Sequence, residues 1–161
     1  MSEFSERHFL ARYADLGVEV VGSIGREWRI DVDAERCREL LARLADGNET
    51  AMSRLVDLTA VDRGPGFHGR RIEVVYRLAS PDHSGQLRVH ARCDESVAPE
   101  SVVSMWPAAA WLEREVYEFF GIAFRGHPDL RPLMLEPEFV GHPLRKDYPR
   151  QPDLALPKSV A

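Results

Sequence analysis

Seven of the eleven prolines in this 161-residue chain fall in its last 34 residues, at Pro128, Pro132, Pro137, Pro143, Pro149, Pro152 and Pro157. Proline lacks a backbone N–H and its ring clashes with a preceding helical turn, so a stretch broken this often forms neither a long helix nor an inner strand. The chain therefore divides near residue 125 into a folded body, residues 1–125, and an extended proline-rich arm, residues 126–161. The arm also carries Leu130, Leu133, Met134, Leu135, Phe139, Val140, Leu144, Tyr148, Leu154 and Leu156, more apolar side chains than a disordered linker keeps. Burying half of them at roughly 1.5–3 kcal/mol each gives on the order of 10 kcal/mol before ordering costs. An arm of that kind suits wrapping around a partner; folding back over its own domain is the other use open to it.

The body reads as alternating elements. Glu6 to Leu16 sets Phe9, Leu10, Tyr13 and Leu16 near helical spacing, with Gly17 as a stop. Val18 to Val21 and Trp28 to Val32 read as short strands, with Gly22 and Gly25 marking the turn. A helix from Ala34 to Ala45 places Cys37, Leu40, Leu41 and Leu44 on one face, with Asp33 as N-cap and Gly47 as stop. Ser53 to Val61, Arg71 to Leu78 and Gln86 to Arg92 then form a three-stranded antiparallel meander, turned at Gly64 to Gly69 and at Pro81 to Gly85. The alternation of the last strand predicts one packed and one wet face. A third helix spans Ala108 to Phe120, begun by Pro107 and ended by Gly121. The order predicts a two-layer α+β domain with a mixed, mainly antiparallel five-stranded sheet and packed helices.

The third helix buries Leu112, Val116, Phe119 and Phe120. Its polar residues Glu113, Arg114, Tyr117 and Glu118 sit four apart in pairs, Glu113 with Tyr117 and Arg114 with Glu118, which reads as a solvated, self-paired face. Gly-His-Pro occurs twice in the arm, at Gly126-His127-Pro128 and Gly141-His142-Pro143, and predicts two similar bends.

Composition narrows the chemistry. Hydrophobic residues make up 44% of the chain, enough for a core, while a net charge of −5 argues against nucleic acid as a partner. No apolar run reaches the length of a signal peptide or a membrane span. Two cysteines, Cys37 and Cys93, cannot supply a four-cysteine cluster or zinc site and read as buried thiols. No GxGxxG, GxxxxGK[ST], GxSxG or HExxH occurs. His127, Asp129 and His142, with Glu113 and Glu115 near, form a loose pool of metal or acid-base groups without metal-ligand spacing, and each arm histidine reads as a turn residue. His8, His68, His83 and His90 read as surface or loop residues, and Trp28, Trp106 and Trp111 as packing anchors.

From Trp111 the chain runs WLEREVYEFFGIAFRGHPDLRPLMLEPEFVGHPLRKDYP. This resembles the C-type subunit of NADH-quinone oxidoreductase, the 30-kDa subunit family of respiratory complex I. Glu113, Arg114, Glu115, Glu118, Phe119, Phe120, His127, Arg131, Leu133 and Met134 match the family signature, and Gly141 to Pro149 matches a second block. DLTAVD at 57–62, EVVYRL at 73–78 and SMWPAAAWLERE extend the likeness over about residues 50 to 150. Glu118 stands where Asp is more usual, and Pro132 where a second Arg is common.

The resemblance implies a structural and assembly subunit of the peripheral arm, in the quinone module of a proton-pumping NADH:quinone oxidoreductase. FMN, iron-sulfur clusters and quinone would belong to the assembled complex and none to this chain, which would have no catalytic residue of its own. Its arm would dock chiefly on the D-type subunit, which some relatives carry fused to the C-type one, with the B-type subunit and other peripheral-arm subunits as further partners. The complex would sit at the cytoplasmic face of the bacterial inner membrane, with no span from this chain. The family motif residues Glu113, Arg114, Glu115, Glu118, His127, Pro128, Asp129, Arg131, Gly141, His142, Pro143, Arg145, Lys146 and Asp147 would form the subunit interface. Two other readings stay open: a homologous subunit of a membrane-bound hydrogenase or formate-oxidising complex, and a free-standing metal enzyme using His127, Asp129 and His142.

Overall fold

In the computed structural model, residues 6–25, 27–46, 52–81 and 86–149 are described, without the side chains of residues 6–9 and 24. The expectations for Phe9, Gly47, most of the 81–85 turn and the arm beyond residue 149 lie outside them. Chain order gives α1 (Glu6–Tyr13), β1 (Glu19–Ile24), β2 (Glu27–Asp33), α2 (Ala34–Ala45), β3 (Arg54–Asp62), β4 (Ile72–Ala79), β5 (Gln86–Cys93) and α3 (Ala109–Phe120). The strands form one five-stranded sheet in the order β1-β2-β5-β4-β3. Only β2 and β5 run parallel, and the other three pairings are antiparallel, β3-β4-β5 forming the meander.

Alternation within the strands sends Ile30 and Val32, Val74, Tyr76 and Leu78, Leu87, Val89 and Ala91, and Leu58 and Ala60 into one core. There Cys37, Leu40, Leu41 and Leu44 of α2 and Ala109, Val116 and Phe120 of α3 meet them, because an apolar stripe must be buried against another apolar surface. Both cysteines are buried free thiols.

Several local expectations are corrected. The first helix ends at Tyr13 and continues as a short 3-10 turn, Ala14–Leu16, before Gly17. β1 runs on to Ile24 because Val21 is taken up as a bulge and Gly22 pairs on with Arg29, the register shifting between Val20 and Gly22. Asp33 occupies the N-cap position of α2 but makes no side-chain capping bond. Pro107 lies in the turn before α3, which starts at Ala109. Trp111 anchors nothing in the core, being 61% exposed.

The wet face of β5 is also drier than alternation implies. His90 is buried and no surface residue: it sits beside Asp31 of β2 and Val75 of β4, and its Nδ1 is 2.9 Å from a Glu73 carboxylate oxygen. Arg63 reaches the same carboxylate through Nε at 2.9 Å and Nη2 at 2.8 Å. Burial pushes the Glu73 carboxyl up, but His90 and Arg63 outweigh it and bring it down to about 2. Long arginine stems cover charges that the backbone pattern alone would leave in water.

Candidate functional site

The polar side of α3 is not a solvated face. The chain leaves the helix through Gly121, whose φ of 76° ends it in a left-handed turn, and after Gly126 follows it again from Ala110, met by His127, to Phe120, met by Arg145. Bends occur at Gly126 and Gly141, with φ of 75° and 95°, and the helix's polar residues meet the returning backbone.

Glu118 does the most. Its carboxylate accepts the N–H groups of Leu133 at 3.0 Å, Met134 at 2.9 Å and Leu135 at 2.7 Å. Three successive backbone donors converging on one anion make an anion nest filled by an in-chain side chain. Arg114 does the converse, donating from Nε to the Arg131 carbonyl at 2.9 Å and from Nη2 to that of Pro132 at 2.8 Å. The same guanidinium lies 5.2 Å from the centre of the exposed Trp111 ring. Glu113 and Arg114 thus do not pair with Tyr117 and Glu118 along the helix as expected; Tyr117 instead sets its ring edge-on to His142.

The two Gly-His-Pro histidines plug different ends of the helix. His127 has its side chain 1% exposed and lies against Ala110, Nε2 being 3.1 Å from that carbonyl, while Nδ1 accepts the Asp129 N–H at 3.0 Å. His142 Nδ1 lies 2.9 Å from the Glu118 carbonyl. Those carbonyls are eight residues apart, about 12 Å along a helix, so the two imidazoles do not converge. Among the described residues no group of three His, Cys, Asp or Glu could hold a metal ion.

Beyond the second bend the arm is clamped to the sheet's end. Arg145 donates from Nε to the Phe120 carbonyl at 2.6 Å, closing the open C-terminus of α3, and pairs with Glu95. The Leu144 N–H reaches the Phe119 carbonyl at 3.2 Å. Asp62, at the end of β3, accepts the Lys146 N–H at 2.7 Å and the Arg71 guanidinium, and Arg71 also binds Asp147. Arg71, and behind it the Lys146 and Gly64 amides, hold the Asp62 carboxyl far below the usual carboxylate range.

Of the motif residues, Arg114, Glu118, His127, His142 and Arg145 face inward onto the domain, and Asp147, itself exposed, bonds to Arg71. Pro128, Asp129, Arg131, Gly141 and Lys146 lie exposed along the outer side, and Glu115 and Pro143 are half-buried. The outer side also bears exposed apolar residues: Trp111, Met134, Phe139, Val140 at 84% exposure, and Leu144. Met134 belongs to the matched signature and Leu144 to the second matched block, but neither that likeness nor the apolar content of the segment says which side chains face out. Two motif carboxylates are buried, Glu118 against the arm's amides and Glu113, with no exposed surface, in the interior.

The family model described as "Respiratory-chain NADH dehydrogenase, 30 Kd subunit" matches residues 30–153. The C-type subunit of NADH-quinone oxidoreductase from Rhodopseudomonas palustris (strain TIE-1) is 39% identical over 134 residues, covering 83% of this chain and 65% of that protein. The "NADH dehydrogenase [ubiquinone] iron-sulfur protein 3" of Arabidopsis thaliana is 41% identical over 121 residues, covering 75% and 63%. The chain therefore spans a little under two thirds of the length of these curated relatives. Among solved structures, a chain of the membrane-bound sulfane sulfur reductase (MBS), an archaeal respiratory membrane complex, superposes with a TM-score of 0.71 at 28% identity, covering 89% of this chain and 82% of that one.

Proposed function

The chain belongs to the family of the respiratory-chain NADH dehydrogenase 30 kDa subunit, and we propose from that premise that it is an assembly subunit of the quinone module of a proton-pumping NADH:quinone oxidoreductase. Electrons would pass from NADH to quinone through flavin and clusters held elsewhere. The plant relative is called an iron-sulfur protein, yet two buried cysteines cannot ligate a four-cysteine cluster within this chain. The proposed role is scaffolding, with the D-type subunit as main partner, the B-type and other peripheral-arm subunits as further ones, at the cytoplasmic face of a bacterial inner membrane. Among the described residues no helix is long and apolar enough to cross a membrane.

The observation that carries this reading is the two-sidedness of the arm. Its inner side is spent on its own domain through Glu118, Arg114, His142 and Arg145. Its outer side leaves Met134, Phe139, Val140 and Leu144 in water, and a run of exposed large apolar side chains marks an interaction surface. We assign the partner contact to these four, with the exposed Pro128, Asp129, Arg131, Gly141 and Lys146 as its polar rim. Because the arm is already held, docking does not carry the full cost of ordering it.

The test is the double substitution Val140→Asp with Leu144→Asp in the native host. The purified chain should fold as the wild type does, while the respiratory complex fails to assemble on a native gel. Complex of normal size and amount carrying the double variant would overturn the reading. A second reading, a homologous subunit of a complex fed by another donor, is favoured by the similarity to the sulfane sulfur reductase chain. Mass spectrometry of what co-purifies from membranes decides between them: NADH- and flavin-binding subunits for the first, a different donor module for the second.

A further inference from the structure

Where the arm leaves the domain, two ionisable side chains are buried together that the docking reading does not use. Glu113 of α3 is fully buried, and His127 of the arm root is sealed beside it. Glu113 Oε1 accepts the Val102 N–H at 2.7 Å. Its Oε2 has no hydrogen-bond partner among the described residues and lies 4.0 Å from His127 Nε2. At that distance the pair is in contact, but it is not hydrogen-bonded.

The bonds of His127 fix its proton. Nδ1 accepts the N–H of Asp129, so it carries no hydrogen; Nε2 faces the Ala110 carbonyl, an acceptor, so it carries one. The ring is the neutral Nε2–H tautomer, with both nitrogens committed. A second proton would have to go on Nδ1, where it would meet the Asp129 N–H head on and break the first turn of the arm. Glu113 therefore has no imidazolium beside it. Across the core Glu113 itself acts on the Tyr76 hydroxyl of β4, with Cys37 of α2 behind that. The 99–106 segment contributes the Val102 amide and Ser101, and no lysine or arginine is among the groups that stabilise the anion.

We propose that Glu113 and His127 form a buried proton-holding site at the root of the arm, in which the proton resides on the carboxyl group and the imidazole stays neutral. The carboxyl is raised from its ordinary value, chiefly by burial, with the Val102 amide and Ser101 only partly offsetting it. A carboxyl whose proton affinity is raised on folding stabilises the fold while protonated. That stability is complete below the unfolded carboxyl value and is lost as pH rises through the folded one. The 98–107 segment, α3 and the arm root meet at this site, with the Ser101 N–H donating to the Arg125 carbonyl at 2.8 Å and the Arg125 N–H to that of Pro99 at 3.1 Å. Loss of the proton thus loosens all three together.

The proposal needs no partner, so it stands or falls apart from the docking reading. The experiment is NMR on the full 161-residue chain, following the Glu113 side-chain carboxyl carbon and the His127 ring nitrogens between about pH 8 and 4. The expected result is a Glu113 carboxyl that gains its proton well above the ordinary carboxylate range, while the His127 nitrogens keep the Nε2–H pattern through that step. Ring nitrogens that become equivalent, as in an imidazolium, while Glu113 is still ionised would overturn it, as would a Glu113 carboxyl titrating at its ordinary value. Glu113→Gln supplies the independent arm. Proteolytic nicking within residues 125–132 should rise several-fold from neutral to alkaline pH in the wild type and stay flat in E113Q; equal rises in both also sink the idea. If E113Q does not fold, His127→Gln replaces it, since its amide can donate to Ala110 and accept from Asp129, and the alkaline rise should persist in it.

Discussion

Arg71 and Asp147, 76 residues apart in sequence, meet through two hydrogen bonds of 2.7 Å each, and the same guanidinium grips Asp62. One arginine thus ties the last described turn of the arm to the end of β3. Asp62 is buried, and Arg71 keeps about a quarter of its side chain in water. Removing one partner of such a pair leaves a charge without compensation. Arg71→Ala should therefore destabilise the chain by an amount near the lower end of about 3–5 kcal/mol, read by urea unfolding. Asp147→Asn should leave global stability nearly unchanged and accelerate amide exchange at Leu144 to Tyr148. Equal global effects of the two substitutions would contradict the clasp.

Glu118 makes a different kind of prediction, because its partners are backbone amides. Glu118→Ala strands the N–H groups of Leu133, Met134 and Leu135, which are part-buried in the folded chain. The expected cost is about 1–3 kcal/mol, with loss of exchange protection confined first to residues 133–135. Glu118→Asp should recover much of it, since the charge is kept and only the reach shortens. Urea titration together with residue-resolved hydrogen exchange checks both.

Glu73 should make a separable contribution to the acid side of the stability profile, beside that of Asp62, which is also held low. Its carboxyl lies at about 2 in the fold, held there against burial by His90 and Arg63, and a glutamate in an unfolded chain titrates near about 4.3. A depressed carboxyl stabilises the fold above the unfolded value, and that contribution disappears as pH falls toward the folded one. Glu73 alone should therefore account for a drop in unfolding free energy on the order of 3 kcal/mol between about pH 5 and pH 2. Glu73→Gln should start lower at neutral pH and follow a shallower slope. Parallel slopes would mean that other carboxyls dominate.

The layers of the fold were legible because each rests on local patterning: the stripe of Cys37, Leu40, Leu41 and Leu44, the alternation of β2 and β5, and glycine at the meander's first turn. The arm's motif residues were legible as a set, but the side each presents was not. Periodicity reports which residues share a helix face, and it does not report what returns to cover that face. Glu118 and Arg114 looked like a solvated i,i+4 pair because their partners are main-chain groups 15 to 18 positions away, which carry no sequence signature. His90 was misread for a related reason: it is buried against the Glu73 carboxylate, which Arg29 of β2 and Arg63 after β3 also bind, a tertiary arrangement that strand alternation does not contain.

Gly121 joins the helix stop to the arm's seat, and the two roles can be separated. Its φ of 76° is one that side chains rarely adopt, so alanine there carries a backbone cost of about 1 kcal/mol. A methyl group would also come within 2.5 Å of His142 Nε2 and 2.6 Å of an Arg145 terminal nitrogen, displacing both side chains from the carbonyls of Glu118 and Phe120. Gly121→Ala should thus destabilise by clearly more than the backbone term and shift the His142 ring signals. Pairing it with His142→Ala and Arg145→Ala isolates the steric part. If the clash is real, Gly121→Ala costs less in the chain already lacking those side chains, down to the backbone term alone. An unchanged cost in that background would place the whole effect in the backbone and leave the arm's seat independent of this glycine.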